Sequence, residues 1–403
     1  MDKTFSNNMH RRLFLQSLAG AAAYAVLGGL RVSFAAAPGE ARFVLIILRG
    51  AMDGLAAVPP YGDKNYAAAR GALALPKSAY TPIDPFFGLH HSFEGFKTLF
   101  AAKEAAIIHA VATPYRDRSH FDAQNVLECG AVTPYGLRDG WLNRALEMID
   151  RRNRTAALAV GQTVPLALQG REAVASWSPS AKGLPDDALL LTLEKLYAQD
   201  DLFHSALAQA VNIHDIADAH KGMRGGTLRN RQAMAQTIRS VGKILSDPKG
   251  PRIATLEIGG WDTHAQQGTA QGVLANNFAT LDEAFHGLKT AMGPLWAKTV
   301  VLAVTEFGRT VSINGTGGTD HGTASVALAA GGALQGGRVI GNWPGLDKTQ
   351  QYQGRDLRPT TDLRQVTKAV LIQHLGLPAG DVERYIFPDS RDARAMEGLI
   401  RGT

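Results

Sequence analysis

The chain has 403 residues, 45% of them apolar and 19% charged, with 43 glycines, 18 prolines and one cysteine. That balance excludes disordered, collagen-like and disulfide-stapled classes and describes a globular protein. The formal charge of +6 falls to about +3 once residues 1–37 are set aside, because 38 basic and 35 acidic residues remain, so there is no electrostatic case for nucleic acid.

Arg11-Arg12-Leu13-Phe14-Leu15 opens a moderately apolar, glycine-interrupted stretch from Leu18 to Leu30, and Ala35-Ala36-Ala37 supplies a small-residue cleavage site. The pattern predicts a twin-arginine export signal over 1–37, with His10 where Ser or Thr is usual, and a periplasmic mature chain over 38–403. The apolar stretch is too short to cross a bilayer, so no stable span is expected in the mature form. Twin-arginine export often serves folded metal or cofactor proteins. The single Cys129 excludes any disulfide within the chain.

Several apolar runs rich in β-branched residues each end in glycine and a polar cluster, the signature of buried parallel strands with functional loops. Residues 43–48 lead into Arg49-Gly50-Ala51-Met52-Asp53-Gly54, and 105–111 lead toward Tyr115-Arg116-Asp117-Arg118-Ser119-His120. Residues 253–258 lead into Gly259-Gly260-Trp261-Asp262-Thr263-His264. Residues 299–304 lead into Thr305-Glu306-Phe307-Gly308-Arg309, followed by Gly317-Gly318-Thr319-Asp320-His321-Gly322. Helical spacing recurs at 189–212, 229–245, 273–292 and 362–375. The stretch 132–249 carries helices and few strand signals, and reads as a helical insertion over or beside the sheet. The expectation is an α/β fold whose ligand site lies beyond the carboxyl ends of its strands.

Asp53, Asp262, His264, Glu306, Asp320 and His321 are oxygen and imidazole donors of the kind that hold a divalent cation. Singly, each has a structural alternative as a cap, turn or hydrogen-bonded residue. Jointly, like charges at converging loops call for a cation. Ser119 with Asp122 forms a capping-box pattern opening a helix at His120; the same hydroxyl, at a helix N-terminus beside a metal, suits a nucleophile toward phosphate or sulfate. Arg116 and Arg118, with Arg49 and Arg309, are candidates to clamp an oxyanion. His90-His91 reads as structural hydrogen bonding, and Cys129 has no local base. The sulfatase modification pattern, Cys or Ser followed by x-Pro-x-Arg, is absent around both Cys129 and Ser119.

Taken together, the paired arginines, Leu48-Arg49-Gly50-Ala51-x-Asp53-Gly54, Tyr115-Arg116-x-Arg118-Ser119-His120-Phe121-Asp122, Asp139-Gly140-Trp141-Leu142, the 259–264 and 306–310 clusters and Gly318-Thr319-Asp320-His321-Gly322 resemble the bacterial family catalogued as domain of unknown function 1501. The resemblance covers essentially the whole mature chain. That family is similar to a branch of the alkaline phosphatase and sulfatase superfamily, which implies a three-layer sandwich: a mixed, mostly parallel sheet between helices with metal at the strand ends. Carried over, Asp53 matches a first-strand metal ligand, Ser119 the nucleophile, Asp262 and His264 a central metal pair, and Asp320-His321 a late histidine site. Phe307 stands where an imidazole belongs, which implies one metal, or a second site completed by His120.

The implied function is an exported, metal-dependent hydrolase of phosphate or sulfate esters, with Ser119 attacking and Arg118 positioning the oxyanion. Zinc, calcium, magnesium and manganese are all open as the cation. The alternative is a non-catalytic exported protein of the same fold that binds metal, polymer or an exported accessory partner. A third reading keeps the fold without metal, its carboxylates serving as caps and salt-bridge partners.

Overall fold

The computed structural model describes residues 40–149, 157–161, 163–178, 231–248 and 250–402, together with positions 193, 196, 197 and 207. The expected export signal lies outside the described residues, as does nearly all of the expected helix 189–212.

In chain order the strands are β1 (Arg42–Arg49), β2 (Tyr80–Pro82), β3 (Gly88–His90), β4 (Ala105–Ala112), β5 (Ala157–Val160), β6 (Ala175–Trp177), β7 (Ile253–Gly259), β8 (Thr299–Thr305), β9 (Ser325–Ala330), β10 (Arg338–Ile340) and β11 (Thr361–Asp362). β2 and β3 form a small hairpin, and the rest form one nine-stranded sheet in the order β10-β4-β9-β8-β1-β7-β5-β6, with β11 beside β4. Every pairing in that sheet is parallel except those of β9, which runs against both β4 and β8. The carboxyl ends of β1, β4, β7 and β8 therefore share one edge.

The sheet is buried on both faces, which is why its central strands are apolar at every position rather than at alternate ones. Val44, Ile46 and Leu48 of β1 face a core shared with the helices Glu94–Ala101, Arg231–Ser246 and Val273–Met292. Phe43, Leu45 and Ile47 face the opposite core, with the helices Trp141–Ile149 and Leu363–Ala369. The α/β class and the mixed, mostly parallel sheet between helical layers are as the sequence led one to expect.

The segment 132–249 differs from expectation. β5 and β6 extend the sheet beyond β7, and the helices 141–149 and 231–246 cover opposite faces of it. Part of the supposed insertion is thus built into the sheet. Ala-Leu-Ala-Val and Ala-Ser-Trp are too short and too rich in weak strand formers to announce themselves by pattern.

Two buried histidines tie loops to this frame. His109 accepts from its neighbour's amide (Ala110 N, 2.9 Å) through Nδ1, which leaves Nε2–H to donate to the Val58 carbonyl at 3.1 Å. His90 repeats the arrangement with Ser92 N and the Thr269 carbonyl, and His91 binds the Ala270 carbonyl, so the pair is structural as expected. Burial pushes both the His109 and His90 imidazoles down to about 4. In the unfolded chain they titrate near 6.5, so between pH 6.5 and 4 the unfolded state takes up protons that the native state refuses, and stability falls. The penalty approaches roughly 3 kcal/mol per histidine near pH 4. We predict that the melting temperature drops across this window and that His109→Gln drops less; a variant with the wild-type pH slope would contradict the assignment.

Candidate metal centre

His120 is the first residue of the helix His120–Cys129, which follows β4; Asp262 and His264 follow β7, and His321 lies in the loop after β8. Their side chains meet. Nε2 of His321 lies 3.0 Å from Nε2 of His120 and 3.0 Å from Nε2 of His264. Asp262 Oδ1 is 3.0 Å from His264 Nε2 and 3.3 Å from His321 Nε2, and Oδ2 is 3.5 Å from His120 Nε2. One donor atom each from His120, Asp262 and His321 falls within 4.8 Å of the others.

The opposite nitrogen of each ring is held. His120 Nδ1 is 2.8 Å from Glu306 Oε1, His321 Nδ1 is 3.0 Å from the Arg118 carbonyl, and His264 Nδ1 is 3.3 Å from Asp320 Oδ1. Carbonyls and carboxylates only accept, so each Nδ1 carries a proton and each Nε2 is turned toward the cluster. In neutral rings these nitrogens present lone pairs 3.0 Å apart, which a cation among them would bridge. Zinc-class ions hold imidazole nitrogen at roughly 2.0–2.1 Å, which brings ligand atoms of one ion to about 3 Å from each other. The donor set therefore fits a divalent cation.

Charge is distributed to suit. The Glu306 hydrogen bond raises the His120 imidazole above its ordinary value, against the opposing effect of burial. Burial, and then the neighbouring His120 charge, lower that of His321. Burial works to raise the Asp262 carboxyl, but the hydrogen bond and charge of Arg309 outweigh it and leave it below the usual range. Glu306 is likewise held low: burial is overcome by hydrogen bonds from His120, Gln124 and the Gly50 amide.

Not every expected ligand joins the cluster. Glu306 and Asp320 are carboxylates that orient imidazoles rather than donors that face them. Asp53 is placed elsewhere, which corrects its assignment as a ligand. Its Oδ1 caps the short helix Gly54–Ala57 at Leu55 N and Ala56 N, while Oδ2 takes Arg70 Nη2 at 2.6 Å and Gln267 Nε2 at 2.8 Å. Four N–H donors occupy its oxygens and the Arg70 guanidinium balances its charge. The expected capping box is not formed either: Ser119 occupies the cap position without a side-chain capping bond, its hydroxyl paired with that of Tyr115, and Asp122 accepts from the Tyr115 hydroxyl at 3.1 Å.

All four candidate clamp arginines have protein acceptors. Arg118 pairs with Asp356 and Gln353, Arg116 with the Thr113 and Tyr115 carbonyls, Arg49 with Glu128 and Glu257, and Arg309 with Asp262 (2.5 Å) and Thr319. What Arg118 gives the site is its main-chain carbonyl, presented from a left-handed backbone (φ 63°). Phe307, at the expected imidazole position, packs instead on the rings of His120 (4.9 Å) and His321 (5.2 Å). Among the described residues one cluster of metal-ligating side chains is found.

Close backbone approach explains two glycines. A side chain at Gly50 (φ 118°) would come within 2.6 Å of the Asp262 amide nitrogen, and one at Gly318 within 2.4 Å of the His264 carbonyl. Three supporting residues escaped the sequence reading. Gln267 links Asp53 to the hydroxyls of Thr263 and Thr319, Asn314 donates to the His264 carbonyl and to Asp320, and Arg70 neutralises Asp53. Only Arg70 had a signal, as a charge at the end of the apolar run Tyr66-Ala67-Ala68-Ala69.

A family model described as "Protein of unknown function (DUF1501)" matches residues 101–383. The chain belongs to the DUF1501 family. No curated protein matches it. Solved structures similar to this DUF1501 chain include the C-terminal periplasmic domain of EcEptC from Escherichia coli in complex with Zn, at 9% identity over 72% of this chain and 73% of that one, with a TM-score of 0.34. Another is the phosphonate monoester hydrolase of Agrobacterium radiobacter, at 11% identity over 84% and 74% of the two chains, with a TM-score of 0.39. A third is the PsFucS1 sulfatase from Pseudoalteromonas sp., at 12% identity over 90% and 74%, with a TM-score of 0.39.

The Asp53–Arg70 pair generates a test within the DUF1501 chain. Both side chains are fully buried, so Arg70→Met leaves an uncompensated charge and is expected to cost about 3–5 kcal/mol of unfolding free energy. Adding Asp53→Asn should recover most of that loss. A cost below about 1 kcal/mol in denaturant titration would contradict a structural pair.

Proposed function

We propose that this DUF1501 protein is an exported hydrolase of phosphate or sulfate esters that depends on a divalent cation. The observation that carries the proposal is the convergence of His120, Asp262 and His321 donor atoms at the carboxyl edge of the sheet, with His264 beside them and each imidazole anchored from behind. His120, Asp262 and His321, with His264 beside them, would hold the cation, which would attract an anionic ester and offset the negative charge that develops during its cleavage.

Ser119 precedes His120 and stands at the N-terminus of the helix 120–129 with its hydroxyl free of any capping bond. The amides of that first turn favour an anion. In the proposed reaction Ser119 Oγ loses its proton and bonds the phosphorus or sulfur atom while the bond from that atom to the ester oxygen breaks, the leaving oxygen takes up one proton, and water then attacks the same atom, breaking its bond to Oγ and returning a proton to the serine as the anion leaves. Arg118 has no oxyanion role in this reading. Export rests on the Arg11-Arg12 signal pattern; among the described residues no helix is long and apolar enough to cross a membrane.

A second reading, a non-catalytic cation-binding protein with an exported accessory partner, draws on the commitment of all four clamp arginines to protein acceptors. Ser119→Ala separates the two. The expected outcome is loss of turnover on a panel of aryl phosphates and aryl sulfates, by about 100-fold or more, with bound cation unchanged. Wild-type protein that carries its cation and turns over no ester would favour the second reading, and full turnover by the variant would remove Ser119 as nucleophile.

A further inference from the structure

We infer that the centre selects a zinc-class transition ion over calcium and magnesium, and that Glu306 acts as the positioning residue that sets this preference. The inference deepens the proposed function and rests on its claim that the cluster binds a cation. Calcium takes 6–8 oxygen ligands and magnesium an octahedron of oxygens, usually with several waters. Here the donors that all lie within 4.8 Å of one another are the imidazole nitrogens of His120 and His321 and one Asp262 carboxylate oxygen, and His264 Nε2 borders them at 3.0 Å from His321 Nε2 and from Asp262 Oδ1.

Glu306, Asp53 and Asp320 Oδ1 already accept from other donors. Glu306 Oε1 accepts from Gly50 N (2.8 Å), His120 Nδ1 (2.8 Å) and Gln124 Nε2 (3.1 Å), and Oε2 from the Thr305 hydroxyl (2.9 Å). Asp320 Oδ1 accepts from His264 and from Asn314 Nδ2 (3.1 Å). Asp53 is saturated by two backbone amides, Arg70 and Gln267. Asp262 thus supplies the one carboxylate of the group, with Arg309 held on its Oδ1 at 2.5 Å. Imidazole donors of this number suit zinc, cobalt, nickel or iron and leave a hard cation short of oxygen.

Glu306 carries the second part. A buried carboxylate bonded to Nδ1 of a ligating imidazole fixes the tautomer and raises the basicity of Nε2. The same oxygen binds the amide of Gly50 at the end of β1, so His120 is oriented by the sheet itself.

The test is a competition titration of the full chain, stripped with chelator, using Zn²⁺, Ca²⁺ and Mg²⁺ separately, with Co²⁺ absorption as an optical check of nitrogen ligation. The expected result is one ion per chain, with Zn²⁺ at least about 100-fold tighter than Ca²⁺ or Mg²⁺. Glu306→Gln should weaken Zn²⁺ by roughly 10–100-fold, with a shifted Co²⁺ spectrum. Because Glu306 is buried, His264→Ala, on a half-exposed side chain, provides a second variant that must also weaken Zn²⁺. Ca²⁺ or Mg²⁺ binding as tightly as Zn²⁺ overturns the selectivity while leaving a cation-dependent hydrolase in place. Binding of none of the ions overturns both, and unchanged Zn²⁺ affinity in a folded Glu306→Gln protein overturns the positioning role.

Discussion

A carboxylate buried at the end of β8 holds the site together. Glu306 is 1% exposed, and a charge so placed persists only if its oxygens are filled by donors. The donors that fill them come from the end of β1, from the helix after β4 and from β8 itself. Satisfying one buried anion therefore brings three strand exits into register, and the orientation of His120 follows from it. His321 and His264 are then set by the Arg118 carbonyl and by Asp320, and the Nε2 of His321 is left facing those of His120 and His264.

A second buried pair lies beneath. Asp53 and Arg70 lock the β1 exit to the loop after β8, because Arg70 also donates to the Thr310 and Val311 carbonyls. Gln267 extends the pair to Thr263 and Thr319, which flank Asp262, His264 and His321 in sequence. The loops that carry the ligands thus rest on hydrogen-bonded groups that water does not reach, and this preorganises the donors before any ion arrives.

Much of this was legible in the sequence because the strands that matter are continuous apolar runs ending in glycine and polar residues. β1, β4, β7 and β8 fall where those runs fall, and His120, Asp262, His264 and His321 sit on their exits. What the pattern could not resolve was which carboxylate faces the centre. Asp53, Glu306 and Asp320 look alike in one dimension, and only their partners distinguish a cap, an orienting acceptor and a ligand. Those partners lie 17, 186 and 56 residues away in Arg70, His120 and His264, distances that no local periodicity encodes. β5 and β6 were missed for a different reason, since strands of four and three residues leave almost no signal.

The central claim is that the His120, Asp262, His264 and His321 cluster exists to hold a cation. Elemental analysis of the protein produced with its own N-terminal segment, beside Asp262→Ala and His321→Ala, tests it most directly. Stoichiometric divalent metal in the wild type, lost from both folded variants, is the predicted result. Wild-type protein without metal, or metal retained in both variants, would contradict it.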